Sequence, residues 1–547
     1  MQIIKGDAFS DKADRQYVNS AGNLFDRGSI FFQDKTGELV SAATLKTGYT
    51  IVINPMKIVD QEAVYKQLSS VLNLDSGIFY SKASKKDDSR EEIAKRVSES
   101  DMKKIEAFNI VGLSIEKERW RYYPGDELGA NTIGFVGYNG DKLEGRYGLE
   151  KYYEDTLVRE GTDLYVNVFA EIFSNINTTF IQDKSREGDI ITSIDPEVQN
   201  FLEKTVQAAN KKWSSNLTGG IVIDPKTGEI YGLATYPTFN LNEFNKEKDV
   251  GIFSNPLISD AYEMGSIVKP LTMAAGLDAG VVTAKTTYKD EGTIKIDGKT
   301  ISNYDFKARG VVDMQEVLNQ SLNLGASFVA DKLGKDRFLN YFQGYGIGGE
   351  TGIDLPNEAA GMINNLTNNL KNQKKVEYFN ASFGQGISMT PIMTVRALSV
   401  LANGGKLIIP HVVNKIDFKV GLSKYISYTD EAKQVIKKDT SEEITRMLVK
   451  VVDTALAGGT MKMTNYSIAA KTGTAQMARS VADGGGYYTD RYLHSFFGYF
   501  PAYNPRFLVF LYTVYPKNVN YASQTLTNPF FDIAKFLINY YEILPDR

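Results

Sequence analysis

Tyr262-Glu263-Met264-Gly265-Ser266-Ile267-Val268-Lys269-Pro270 sets a serine three residues before a lysine, with a proline directly after the lysine. A helix brings residues three apart onto one face, so Ser266 and Lys269 would stand side by side. Proline is tolerated only in a helix's first turn, where the backbone donors have no partner inside the helix. The helix is therefore predicted to begin close to Ser266, with the hydroxyl at the positive end of its dipole. A serine hydroxyl needs a base to act as a nucleophile. The chain has no cysteine and only two histidines, His411 and His494, neither in a run that suggests a nucleophile's partner. Lysine is the base that remains, and the dipole together with partial burial would favour its neutral form. The N–H of Ser266 is placed to be one donor of an oxyanion hole. A lone Ser-x-x-Lys is weak evidence, since a surface serine beside a surface lysine looks the same.

Two further elements strengthen it. Ser321-Leu322-Asn323 lies between an apolar helix-like run, Val311 to Leu318, and another, Ala326 to Leu333. Residues two apart leave a helix on different sides, so Ser321 and Asn323 can share a cleft only from a turn. Ser321 could pass a proton between Lys269 and a leaving amine. Asn323 could bind a substrate amide and hold Lys269, or both could merely cap the next helix. Lys471-Thr472-Gly473-Thr474 follows Tyr466-Ser467-Ile468-Ala469-Ala470. It reads as an edge strand with a glycine where a ligand backbone approaches, and a peptide could add to such an edge. Lys471 supplies positive charge, Thr472 and Thr474 could bind a terminal carboxylate, and the Thr474 N–H could be the second oxyanion donor. The order Ser-x-x-Lys, Ser-x-Asn, Lys-Thr-Gly is the set used by serine β-lactamases and penicillin-binding proteins.

Around these elements the chain reads as a strand at Ile190 to Ile194, then Asp195-Pro196-Glu197 as a helix start. Gly219 to Tyr231 reads as a hairpin. Ser495 to Tyr499 and Phe507 to Val514 read as strands, and Pro529 to Leu544 as an amphipathic helix. Strands at both ends with helices between them predict an α/β or α+β domain whose sheet is closed by distant segments. The first ~190 residues read as mixed and irregular, with a strand at Tyr49 to Ile53 and a charged run, Ser81 to Lys104, expected to be a solvated helix or loop. Of the 547 residues, 42% are hydrophobic and 23% charged, a globular balance. With a net charge of −4 there is no basic stripe, so nucleic acid is not an expected partner. Without cysteine there is no disulfide or Cys-based metal site, and neither a metal nor a cofactor is expected. No run of 18 apolar residues spans a membrane, and Met1 to Ser10 lacks the sections of a signal peptide.

The sequence resembles the class B penicillin-binding proteins, peptidoglycan D,D-transpeptidases without a glycosyltransferase domain. The resemblance runs through Asp26-Arg27-Gly28-Ser29-Ile30, Arg121-Tyr122-Tyr123-Pro124, Ile133 to Gly137 and Gly148-Leu149-Glu150-Lys151-Tyr152-Tyr153-Glu154. It continues through Ser382-Phe383-Gly384-Gln385-Gly386-Ile387-Ser388-Met389-Thr390-Pro391 and Ala402-Asn403-Gly404-Gly405. The family usually has proline where Met264 stands. The resemblance implies a β-lactamase-like transpeptidase domain at 189–547, an antiparallel sheet flanked by helices. Residues 1–188 would form an elongated mixed α+β pedestal that contacts partners. It implies that Ser266 attacks the D-Ala-D-Ala bond of a peptidoglycan stem peptide. Release of D-Ala would leave an acyl-enzyme that an amine of a neighbouring stem resolves, and β-lactam antibiotics would acylate the same serine. It also implies one N-terminal membrane anchor, absent from this chain, with residues 3–16 resembling the stretch just after it, and work on the outer face of the cytoplasmic membrane. The Tyr262-Glu263 lead and the modest pedestal resemble the division type, which implies a membrane glycosyltransferase and divisome proteins as partners. An elongation-type enzyme, a D,D-carboxypeptidase, a β-lactam-hydrolysing or sensing relative and a catalytically dead scaffold are the competing readings.

Overall fold

The computed structural model describes residues 25–159, 187–372, 374–479 and 485–547. The resemblance at residues 3–16 lies outside them. In chain order the strands that position the site begin with β1 (Ile30–Gln33), β2 (Leu39–Ile53), β3 (Glu91–Val97), β4 (Leu113–Tyr122) and β5 (Gly188–Thr192). The hairpin β6 (Leu217–Ile223) and β7 (Ile230–Tyr236) follows, then β8 (Val413–Phe418). The last three are β9 (Ala469–Ala478), β10 (Tyr487–Phe500) and β11 (Phe507–Val514). The main helices are α1 (Pro196–Trp213), α2 (Lys269–Asp278), α3 (Asn323–Leu333), α4 (Pro391–Ala402), α5 (Lys438–Lys450) and α6 (Thr527–Tyr540).

A five-stranded sheet runs β9-β10-β11-β6-β7, antiparallel throughout. Its centre is made by strands far apart in the chain, as the apolar runs at both ends of this region predict. Every residue of β11 is buried, because helices cover both faces of the sheet. On one face α1 and α6 pack over Phe496, Phe500, Phe507 and Val509, with Phe201 stacked on Phe536 at 4.2 Å. On the other face the alternating residues Phe497, Tyr499, Phe510 and Tyr512 join the core around α2. The N-terminus of α1 is capped as its sequence predicts, Asp195 accepting from the N–H groups of Glu197 and Val198 with Pro196 in the first turn. Helix α2 is buried from Lys269 to Gly276, so it passes through the core instead of presenting a wet face.

The N-terminal sheet joins β8-β5-β1-β2-β3, with β4 also on β2. Strand β5 pairs with β1 on one side and with β8, from the far part of the chain, on the other. The boundary expected at 188/189 thus falls at the start of a strand that ties the two parts together. The charged run Ser81 to Lys104 is not only helix or loop. It contains β3, and Arg90, just ahead of that strand, pairs with Glu92 on it and with Glu116 on β4 at 2.9 and 2.8 Å. Helical charge patterning hid a strand because a solvated strand face carries the same residue types.

Three of the quoted N-terminal blocks meet in one buried ion cluster. Glu150, with no exposed surface, accepts from Arg27 Nε and Arg121 Nε, both at 2.6 Å. Arg27 also donates to the Glu150 carbonyl at 2.7 Å and to Glu154 at 2.6 Å. These contacts fasten β1, β4 and the short helix Gly148–Tyr152 to one another. Among the described residues no helix is long and apolar enough to cross a membrane.

Candidate active site

Ser266 sits in a 3₁₀ turn, Gly265–Val268, that runs directly into α2 at Lys269. The helix predicted to start near Ser266 therefore starts three residues later, after a tighter turn. The consequence is the same: the Ser266 N–H lies in a first turn with no acceptor behind it. Lys269 is 1% exposed, and its Nζ stands 2.9 Å from Ser266 Oγ. It also stands 3.0 Å from Ser321 Oγ and donates to the Ser321 carbonyl. Burial, with the charge of Lys471 nearby, holds Lys269 well below the usual lysine range. A neutral amine there can donate to the Ser321 carbonyl and keep its lone pair for the Ser266 proton.

Ser321 adopts a left-handed conformation, φ +56°, in the turn between the helix Met314–Asn319 and α3. That turn buries Leu322 and leaves Ser321 and Asn323 half-buried on the cleft side. Lys471 Nζ reaches the same Ser321 Oγ at 3.1 Å and the Thr472 carbonyl at 3.0 Å. One hydroxyl thus bridges two lysines. Lys471 is also buried, which pulls it down to about 8.

Asn323 differs from its expected role. Its amide donates to the Ser302 carbonyl at 2.8 Å, and the grip on Lys269 comes from the Ser321 carbonyl instead. Asn323 is the first residue of α3, so its side chain is engaged by the neighbouring loop while still lining the cleft.

Strand β9 is the free edge of the five-stranded sheet. The Thr472 carbonyl meets Lys471 Nζ, and the Thr474 carbonyl lies toward Gly265. In a strand the N–H and C=O of one residue point the same way, so both threonines direct their backbone groups away from β10. The N–H of Thr474 is therefore on the open edge beside the serine turn. The Thr474 hydroxyl accepts from Ala522 N–H at 3.1 Å, which leaves its proton to donate.

Gly473 does not face a ligand. A Cβ on it would lie 2.4 Å from Ser495 Oγ and 2.8 Å from the Met264 carbonyl. The glycine lets the strand close on the protein's own serine turn, so the close approach expected there is internal. Met264 is fully buried in that contact, its carbonyl accepting from Ser495 Oγ at 2.9 Å.

The cleft in front of Ser266 encloses about 1150 Å³. Ser266, Ser321, Asn323, Lys471, Thr472 and Thr474 line it. Sequence reading missed its rim: Tyr304, Phe306, Gln385 and Tyr521. Tyr304 and Tyr521 meet edge to face at 6.2 Å from loops 217 residues apart, which carry no local pattern to single them out. The two histidines are elsewhere. His494 bonds Thr525 at 3.0 Å and His411 the Ile409 carbonyl at 3.1 Å. Among the described residues no group of three or more metal-ligating side chains stands together.

Residues 218–535 match the penicillin-binding protein transpeptidase domain, and residues 25–191 the penicillin-binding protein dimerisation domain. Stage V sporulation protein D of Bacillus subtilis is 28% identical over 97% of this chain and 80% of its own length. The peptidoglycan D,D-transpeptidase MrdA of Acinetobacter baumannii is 28% identical over 97% of this chain and 84% of its own. The fold matches the crystal structure of penicillin-binding protein 2X from Streptococcus thermophilus with a TM-score of 0.76 at 20% identity, over 95% of this chain and 81% of that one. With the dimerisation domain ahead of the serine acyltransferase domain, the chain belongs to the penicillin-binding protein transpeptidase family, as a member of class B.

Proposed function

We propose that the protein is a peptidoglycan D,D-transpeptidase in which Ser266 is the nucleophile, Lys269 its base and Ser321 the proton carrier. The observation that carries this reading is the 2.9 Å separation of Lys269 Nζ from Ser266 Oγ inside a cleft where burial keeps the amine short of its proton. Ser266 Oγ adds to the carbonyl carbon of the penultimate D-Ala as its proton passes to Lys269 Nζ. The N–H groups of Ser266 and Thr474 face the oxygen that gains charge. The C–N bond to the terminal D-Ala then breaks, and the departing amine takes a proton from Lys269 through Ser321. An acceptor amine attacks the ester carbon, the C–Oγ bond breaks as the new amide forms, and the amine's proton passes to Ser266 Oγ. Lys471, Thr472 and Thr474 hold the substrate's terminal carboxylate, with Asn323 on the peptide amide and Gly473 letting the strand sit close. β-Lactams would enter as substrates whose leaving group stays attached; a fold relative, penicillin-binding protein 3 of Mycobacterium tuberculosis, has been crystallised with aztreonam.

The division into a pedestal over 1–188 and a transpeptidase domain over 189–547 belongs to the same proposal. So does the septal role, which rests on the Tyr262-Glu263 lead and the modest pedestal, with a membrane glycosyltransferase and divisome proteins as partners. The relatives' names span sporulation, MrdA and FtsI types, so the elongation role is its competitor. Septal rather than lateral location of a fluorescent fusion supports the first.

Mass spectrometry after β-lactam treatment tests the chemistry. The wild type should gain one drug mass and Ser266→Ala none. An adduct on Ser266→Ala, or none on the wild type, overturns the assignment. Transfer to an added amine, against hydrolysis alone, separates a transpeptidase from a carboxypeptidase.

A further inference from the structure

Glu263 stands three residues before the nucleophile and takes no part in the chemistry above. Its carboxylate accepts from the Tyr487 hydroxyl, with both oxygens close at 3.1 and 3.0 Å. The backbone N–H of Gly386 faces this pair, favouring the charge of Glu263 and acting on the Tyr487 oxygen as well. Tyr487 begins β10, so it belongs to the hairpin whose other strand is the cleft edge β9. Gly386 ends the loop that supplies Phe383 and Gln385 to the cleft wall. The same loop accepts the Gly265 N–H on the Gly384 carbonyl at 3.1 Å. One side chain therefore joins three separate pieces: the serine turn, the strand edge and the opposite wall.

We infer that Glu263 is a positioning residue: in its ionised form it latches the β9–β10 hairpin and the 382–386 loop against the serine turn, and so sets the cleft in its acylating geometry. The inference rests on Ser266 being the acylated residue. Three observations support it. An ionised carboxylate accepts stronger hydrogen bonds than a neutral one. Glu263 has no cationic partner among the described ion pairs, so the Tyr487 hydroxyl, with the nearby Gly386 N–H, is what stabilises its charge. Burial pushes it up to about 7, which puts its ionisation within the working range of a cell-wall enzyme. The groups that face the latch are Tyr487 itself, raised by burial and by the Glu263 charge, and Glu377 from the helix Lys375–Ala381, whose negative charge also acts on Tyr487. The neutral Tyr487 hydroxyl donates to Glu263 and favours its charge while burial opposes it, so lowering the pH through about 7 loads the proton on Glu263.

Two readouts test this on the whole chain. The first is the rate of acylation by a fluorescent penicillin between pH 5.5 and 9 for wild type, Glu263→Gln, Tyr487→Phe and the double variant. The wild type should lose efficiency on acidification through about 7. Glu263→Gln cannot ionise, so it should lose that step and stay about tenfold low at high pH, the order expected for one hydrogen bond to a charged acceptor. The double variant should be no slower than the slower single one. The second readout is hydrogen exchange of the Gly386 amide, which should be faster at pH 6 than at pH 8 beyond the intrinsic rate change, in wild type only. A Glu263→Gln enzyme that keeps the wild-type pH step overturns the inference, as do losses that multiply in the double variant or an indifferent Gly386 amide. The exchange readout needs no acylation. A wild type that takes no penicillin therefore sinks the acyl-enzyme reading, and the Gly386 amide still judges the latch.

Discussion

Replacing Gly473 by alanine separates two reasons for a glycine beside the Ser266 turn. If the glycine made room for substrate, alanine would weaken binding and leave the free protein untouched. The structure assigns the space to the protein itself. The new Cβ would lie 2.4 Å from Ser495 Oγ and 2.8 Å from the Met264 carbonyl. Ser495 Oγ can rotate away, at the cost of its 2.9 Å hydrogen bond to that carbonyl. The carbonyl cannot, because Met264 is fully buried and Gly265 is bonded to Gly384. Carbon and carbonyl oxygen approach to about 3.3 Å, so strand and turn must part by about 0.5 Å. Overpacking of this kind costs about 1–3 kcal/mol. A displacement approaching 1 Å between nucleophile and oxyanion donor can cost up to about 100-fold in rate. Gly473→Ala is therefore expected to melt a few degrees lower and to acylate about 10- to 100-fold more slowly at saturating penicillin. Adding Ser495→Gly removes one of the two clashes and should restore part of both losses. Thermal melting and stopped-flow acylation measure the pair. Wild-type stability with only a weakened half-saturation concentration would refute the reasoning.

Lys269→Met should abolish acylation yet raise thermal stability near pH 7. The lysine is driven below its usual range on folding, so between that lowered value and ~10.4 the unfolded chain holds the extra proton and stability rises with pH. Methionine removes this penalty, worth about 1.4 kcal/mol per unit of depression. The two melting curves should converge at high pH, and a less stable variant at pH 7 would contradict the buried neutral amine. Glu150→Ala leaves Arg27 and Arg121 buried without their shared carboxylate, and breaking such a cluster costs about 3–5 kcal/mol. Chemical denaturation should show the loss. Unchanged stability would mean that the cluster does not fasten the N-terminal sheet.

Much of this protein could be read from neighbours along the chain. Pro270 confines the helix start, Asp195-Pro196 caps α1, and the apolar run Phe507 to Val514 forms a strand buried on both faces. Those features depend on sterics and hydrogen bonds between residues a few positions apart, which a sequence displays directly. The order of motifs likewise pointed to Ser266, Lys269, Ser321 and Lys471 as one set. Their meeting was not readable in that way. Ser321 receives Lys269 from 52 residues before it and Lys471 from 150 residues after it. The depression of Lys269 comes from burial among all these segments at once. The face to which Gly473 turns, the engagement of Asn323 by Ser302 and the pairing of Glu263 with Tyr487 likewise depend on which distant surfaces pack together. Such packing is set by the whole core, and no short window of sequence contains it.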